Sequence, residues 1–308
     1  MTDHTQTVNM SSSHDKPESS QPDFERVLAF KAYEIEELAD VYFFRPMGAL
    51  VAYASRPVGI SPNALTVLGG IVGAMGGALL YDESFGLLAF ILLILHGVID
   101  SADGQLARLT NRTSELGRIL DGMGGYATHI AAYLAIAAGH VARGGQPSIW
   151  VWAVAAGICT ALQAQMYDYH RTLYATVVTR KRLPQPWSPA VPAWALAIVR
   201  VYDAAQRTLI GAHADVEGVL RSHAAAGTRD EVAERDRQEY RRYFYWPVRG
   251  WNLLGDNTRF YAIGALVFLH HVDWMFFFIL GPMNAALAVL WLWQQRADRR
   301  FLNEAVVG

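Results

Sequence analysis

Six stretches of the chain are apolar for long enough to be read as membrane spans. They run from Asn63 to Tyr81, Phe85 to Arg108, Asp121 to Ala142, Ser148 to Tyr169, Asn257 to His271 and Trp274 to Gln294. Ahead of them, residues 23–60 mix aromatic and aliphatic positions with Glu34, Glu36, Glu37 and Asp40. That mixture predicts an amphipathic helix lying at the membrane interface. Pro62 stops it, and Asn63 is suited to cap the first span. Between the fourth and fifth spans lies a polar insertion, 171–256, predicted to be helical and cytoplasmic. Its "VPAWALAIV" (191–199) is too short to cross a bilayer and is expected to rest on the membrane or on the core. Its "TRDEVAERDRQEYRRYF" opens with a capping box, Thr228 and Glu231, and continues as a charged helix with a solvated face. Residues 1–22 are polar, lack the apolar middle of a secretory signal, and are expected to be a disordered tail. The predicted fold class is thus an all-α integral membrane protein. A tail (1–22) and juxtamembrane helix (23–60) precede a four-span catalytic core (61–170). The insertion (171–256) and two last spans with a cytoplasmic tail (257–308) follow.

Composition agrees with that reading. Of the 308 residues, 52% are hydrophobic and 18% charged, and the apolar excess is gathered into blocks. A formal net charge of −2 argues against a nucleic-acid partner. The single cysteine, Cys159, rules out an internal disulfide and a structural zinc site, and is expected to be a small buried hydrophobe. Twenty-five of the 26 Lys and Arg residues fall on one side of the proposed spans; Arg143 alone falls on the other. The positive-inside rule then puts both termini in the cytoplasm, and the expected location is a bacterial inner (plasma) membrane.

One span carries acids. Each Asp at the centre of a spanning helix costs roughly 2.5–3.5 kcal/mol, yet Asp100 and Asp103 stand three residues apart within the second span. Their spacing to Arg108 lets all three share a helical face. Asp121 is expected to open the next, antiparallel helix after a link of about a dozen residues, so that three carboxylates converge near the cytoplasmic boundary. Oxygen-only donors favour Mg²⁺ or Mn²⁺ over zinc. Gly104, Ala107 and Gly117 would leave a groove for a ligand, and Arg108 can pair with a phosphate. A metal and a phosphate together at a membrane surface suggest phosphoryl transfer to or from a lipid.

The run Asp100-x2-Asp103-Gly104-x2-Ala107-Arg108-x8-Gly117-x3-Asp121 resembles the signature of the CDP-alcohol phosphotransferases, also called CDP-alcohol phosphatidyltransferases. The segment "PNALT", with Pro62, Asn63 and Thr66, is similar to the part these enzymes use near the cytidine nucleotide. The likeness covers roughly residues 40–170 and leaves the insertion unexplained. It implies that Asp100, Asp103 and Asp121 ligate two divalent ions, and that Asn63, Thr66, Gly104, Ala107, Arg108 and Gly117 line a CDP pocket. The implied partners are a CDP-linked donor such as CDP-diacylglycerol, an alcohol acceptor and the lipid bilayer. The implied reaction releases CMP in phospholipid biosynthesis. Family members are often homodimers, and Gly69, Gly73 and Gly77 would permit close helix packing.

The family signature ends with a fourth Asp four residues after the third, and this chain has Gly125 there. A glycine offers neither charge nor a proton acceptor, and general-base help is typically worth about 10²–10⁴ in rate. His129, one turn further along the same face, is the candidate to take over that catalytic role, with His96 a second imidazole nearby. Two outcomes follow from the sequence. One is a transferase of impaired turnover; the other is an inactive scaffold or nucleotide-binding relative.

Overall fold

The computed structural model describes residues 33–181, 183–184, 191–226 and 232–307. The expected tail, residues 23–32 of the juxtamembrane helix and the Thr228–Glu231 capping box lie outside the described residues. All regular structure among those described is helical.

The juxtamembrane segment is not one helix. A 3₁₀ turn at Tyr33–Ile35 and a π turn at Asp40–Phe44 precede α1, Arg45–Val58. Its acids are also not displayed on a wet face. Glu36 is buried and pairs with Arg45 (2.5 Å) and Arg171 (2.9 Å). Glu34 accepts from Tyr174 (2.6 Å) and pairs with Arg241 (2.6 Å). The segment is a polar clasp onto later helices, because acids so close to three arginines gain more from pairing than from hydration. Gly59 ends α1 in the left-handed region, at φ 75°, where a side chain would be strained.

α2 spans Pro62–Leu79 and is capped by Ser61, whose Oγ accepts from the Ala64 amide at 3.2 Å. Asn63, the expected cap, instead lies inside the first turn. Pro62 fits the first helical position because its missing N–H would have no partner there. α3 (Gly86–Leu109) and α4 (Glu115–Ala142) follow as an antiparallel pair joined by residues 110–114. Asp121 therefore does not open its helix. Ser114 caps α4 (Oγ to Gly117 N, 2.9 Å) and moves the start six residues earlier.

The glycine stripe of α2 is spent inside the chain. A Cβ on Gly77 would lie 2.7 Å from Ala132 N, and one on Gly69 would lie 3.1 Å from Ile99 Cγ2. Bare backbone lets α2 sink into the groove between α3 and α4. His96 reinforces this by hydrogen bonding Gly69 O through Nδ1 (2.9 Å).

α5 (Ile149–Tyr174, with a π turn to Thr179) leads to the insertion: α6 (Ala193–Leu209), α7 (His213–Ala226) and α8 (Glu234–Trp251). Ala195 and Val199 of α6 pack on Ile119 at the start of α4. α8 is charged on one face, as expected, but Tyr240, Phe244, Val248 and Trp251 bury the other against the core. The helical spacing of those four aromatic and aliphatic residues is what docks the insertion. The chain returns through α9 (Asp256–Phe268), α10 (Met275–Phe278), a π turn at Ile279–Met283 and α11 (Asn284–Val307).

Among the described residues, four helical stretches are long and apolar enough to cross a membrane: Pro62–Leu79, Glu83–Leu109, Ile149–Thr179 and Val272–Glu304. The other two expected spans fall short for different reasons. α4, at 28 residues, is long enough but diluted by glycines and histidines, and α9 has 13 residues.

Candidate active site

Antiparallel geometry places the acids. Asp100 lies nine residues before the end of α3 and Asp121 six after the start of α4. At 1.5 Å per residue these are roughly 13 and 9 Å from the connecting loop, close to one level. The two carboxyl groups meet within hydrogen-bond distance, and both Asp103 and Asp256 lie within electrostatic reach of Asp100. Two carboxylates in such contact repel unless a proton or a cation stands between them. Asp103 is buried, Asp121 is half-buried and Asp100 is exposed. Protein nonetheless crowds around Asp100 and Asp256, so their exposure is into a recess among the helices.

The donor chemistry suits a hard divalent ion, since carboxylate oxygens predominate among the groups around Asp100. Among the described residues, however, no three His, Cys, Asp or Glu side chains converge tightly enough to enclose an ion as they stand.

The residues expected around the nucleotide are partly brought together. A Cβ on Gly117 would lie 2.9 Å from Asn63 Oδ1, so the "PNALT" turn and the start of α4 touch only because residue 117 has no side chain. Thr66 is buried and donates to Pro62 O (3.1 Å). Gly104 faces Arg108, whose Nη1 would be 3.5 Å from an added Cβ. Arg108 in turn lies among the charges of Arg45, Glu36, Asp103 and Arg180. Ala107 is half-buried on the same helix.

Gly125 sits beside a carboxylate that the sequence did not single out. An added Cβ there would be 3.8 Å from Asp256 Oδ2. The other oxygen, Oδ1, pairs with the fully buried Arg259 (3.1 Å), which also donates to Leu254 O and Gln163 Oε1. His129 is buried, hydrogen bonds Gly125 O through Nδ1 (2.9 Å) and lies flat on Phe260. Its Nε2 is 3.7 Å from Asp256 Oδ1. The residue after Asp256 ties this corner to the clasp: Asn257 Nδ2 donates to Glu37 Oε2 (2.8 Å) and Asp40 Oδ1 (2.9 Å). Burial, with the Asp40 charge beside it, pushes Glu37 up from 4.5 to about 7. Burial also raises Asp40.

Sequence reading missed Asp256 because "GDNTR" falls where an apolar run begins, at the least marked of the span boundaries. The available signal was an Asp three residues before an Arg, a spacing that pairs the two on one helix face. A separate cavity of about 190 Å³, lined by His140, Gln146, Trp152 and Asp273, lies near the other end of α4. It is roughly 28 Å of helix rise from Asp121.

A sequence model of the CDP-alcohol phosphatidyltransferase family matches residues 59–215, which reaches past the signature and into the insertion. An uncharacterized protein of Aquifex aeolicus is 44% identical over 62 residues, 20% of this chain and 31% of that protein. The archaetidylinositol phosphate synthase of Pyrococcus horikoshii is 36% identical over 64 residues, 21% of this chain and 34% of that enzyme. Each match spans about a third of the relative's length. With acids paired across α3 and α4 and half of the chain matched, this membrane protein belongs to the CDP-alcohol phosphatidyltransferase family.

Proposed function

We propose that the chain transfers a substituted phosphate group from a CDP-linked donor, such as CDP-diacylglycerol, to an alcohol, releasing CMP in phospholipid biosynthesis. The observation that carries this reading is the Asp100–Asp121 contact, made by two successive helices inside the family-matched region. Asp100, Asp103 and Asp121 would hold divalent cations, Mg²⁺ or Mn²⁺, and most simply two of them. Such ions, when bound, neutralise the diphosphate and make CMP a better leaving group. Asn63, Thr66, Gly104, Ala107, Arg108 and Gly117 would line the CDP pocket, with Arg108 offering its guanidinium to a phosphate. The hydroxyl oxygen of the alcohol attacks the β-phosphorus, the bond to the bridging oxygen of CMP breaks, and the hydroxyl proton is released. His129 is the proposed acceptor. Its Nδ1 donates to Gly125 O, which leaves the Nε2 lone pair on the side of Asp256.

The membrane arrangement belongs to the same proposal. Six crossings keep both termini and the acids on the cytoplasmic side of a bacterial inner membrane. α4 and α9 complete the crossings, and the segment before α2 lies at the interface. A homodimer would need a face other than the glycine stripe, which α3 and α4 already cover.

Gly125 favours one second reading, a nucleotide-binding scaffold without turnover. Purified protein given radiolabelled CDP-diacylglycerol, Mg²⁺ and a panel of alcohols separates the two. The transferase reading expects CMP release that EDTA abolishes. Release by Gly125→Asp alone would establish the scaffold, and failure of both proteins to bind any CDP donor would refute the family activity.

A further inference from the structure

We propose that Asp256 supplies, from the start of α9, the carboxylate that Gly125 leaves out. The acidic site is then Asp100, Asp103 and Asp121 with Asp256 as the fourth oxygen donor to a divalent cation. This rests on the metal reading above and adds a residue that lies outside the signature and outside the family-matched stretch.

Three observations converge on it. The first is steric. Gly125 has no side chain, and Asp256 Oδ2 stands 3.8 Å from the point its Cβ would occupy. An aspartate at 125 would push its own carboxylate toward that same space, so one acid takes the volume the other vacates. The second is orientation. Arg259, fully buried, holds Oδ1 at 3.1 Å and leaves Oδ2 turned toward residue 125. Asn257 is held in turn by Glu37 and Asp40, which fixes the first turn of α9. A ligand pinned through one oxygen presents the other with little entropy left to lose.

The third observation points to something bound. The His129 ring is 5% exposed, and its Nε2 has no hydrogen-bond partner. Since Nδ1 donates to a carbonyl, Nε2 of the neutral ring is an acceptor. It faces another acceptor, Asp256 Oδ1, at 3.7 Å. Arg259 already donates to that oxygen, so the buried Nε2 lone pair is the one left without a donor, and a water from a cation's shell provides one.

The test is Mn²⁺ binding to the full-length protein in detergent, read from the free-ion paramagnetic resonance signal with CMP present. Asp256→Asn is expected to weaken Mn²⁺ by about tenfold or more. The double variant Gly125→Asp/Asp256→Asn is expected to return the affinity to near the starting value. Equal affinity in wild type and Asp256→Asn overturns the proposal. Because the substitution also disturbs Arg259, a second measurement uses wild type alone. Fe²⁺ with ascorbate and peroxide should cut the backbone near residue 256 as well as near 100 and 121. Cuts at 100 and 121 without one at 256 overturn the proposal while leaving the metal reading standing. A wild type that binds no Mn²⁺ overturns the metal reading itself, and this inference with it.

Discussion

Adding one methyl group at Gly77 should loosen the bundle and disturb chemistry some turns away. A Cβ there would lie 2.7 Å from Ala132 N, 2.8 Å from Thr128 O and 3.1 Å from Ala132 Cα, all backbone atoms of α4. Backbone cannot rotate aside as a side chain can, so α2 and α4 must separate by roughly 0.7 Å to restore ordinary contact. Overpacking of this kind costs about 1–3 kcal/mol, and the better helix propensity of Ala returns up to about 1 kcal/mol. The net loss is about 1–2 kcal/mol, or a fall of about 2–8 °C in Tm for a chain of this size. Gly157→Ala is the control, because nothing lies within 4 Å of its would-be Cβ and only the propensity gain applies. Thermal unfolding in detergent, followed by circular dichroism, reads both. Since α4 also carries Asp121, Gly77→Ala should reduce CMP release more than Gly157→Ala. Equal stability of the two variants would refute the claim that the glycine stripe is a contact within the chain.

Other outcomes follow from particular groups. Glu37 carries a folded-state pKa of about 7 against 4.5 unfolded, so the folded state binds more protons between those values and stability falls as pH rises through that window. Glu37→Gln should flatten this slope and gain about 1–3 kcal/mol at pH 8, checked by unfolding at pH 5 and pH 8; an unchanged slope contradicts it. Arg259→Ala strips Gln163 Oε1 and Leu254 O of a donor and empties a fully buried site. It should destabilise by about 2–5 kcal/mol in the same assay. Gly117→Ala would crowd Asn63 Oδ1 at 2.9 Å and the capping Ser114 Oγ at 3.0 Å. It should weaken CMP binding several-fold by equilibrium dialysis at a stability cost of about 1 kcal/mol.

Much of the helical layout was legible because apolar runs and punctuation coincide. Pro62, the polar turn at 110–114 and Gly144 stand within a few residues of real helix ends. The approach of Asp100 to Asp121 was legible too, since a short link turns α4 back antiparallel to α3, although it is α2, packed against both, that holds the two helices side by side. Capping was misread where two candidates competed: Ser61 and Ser114 precede their helices, whereas Asn63 and Asp121 already lie within them. The acids of residues 34–40 read as a wet face because their partners, Arg171, Arg241 and Asn257, lie more than a hundred residues away. Asp256 was hidden for the same reason. Its neighbourhood with Gly125 is made by tertiary packing of α9 against α3, and no periodicity in either segment records it.

Titration calorimetry of Mg²⁺ into the full-length protein, with and without CMP, addresses the acidic pair at the centre of this reading. Wild type should give a binding heat that grows when CMP is present, and Asp100→Asn and Asp121→Asn should each lose it. Identical heats in wild type and both variants would mean that the two helices bring their carboxylates together for some purpose other than holding a cation.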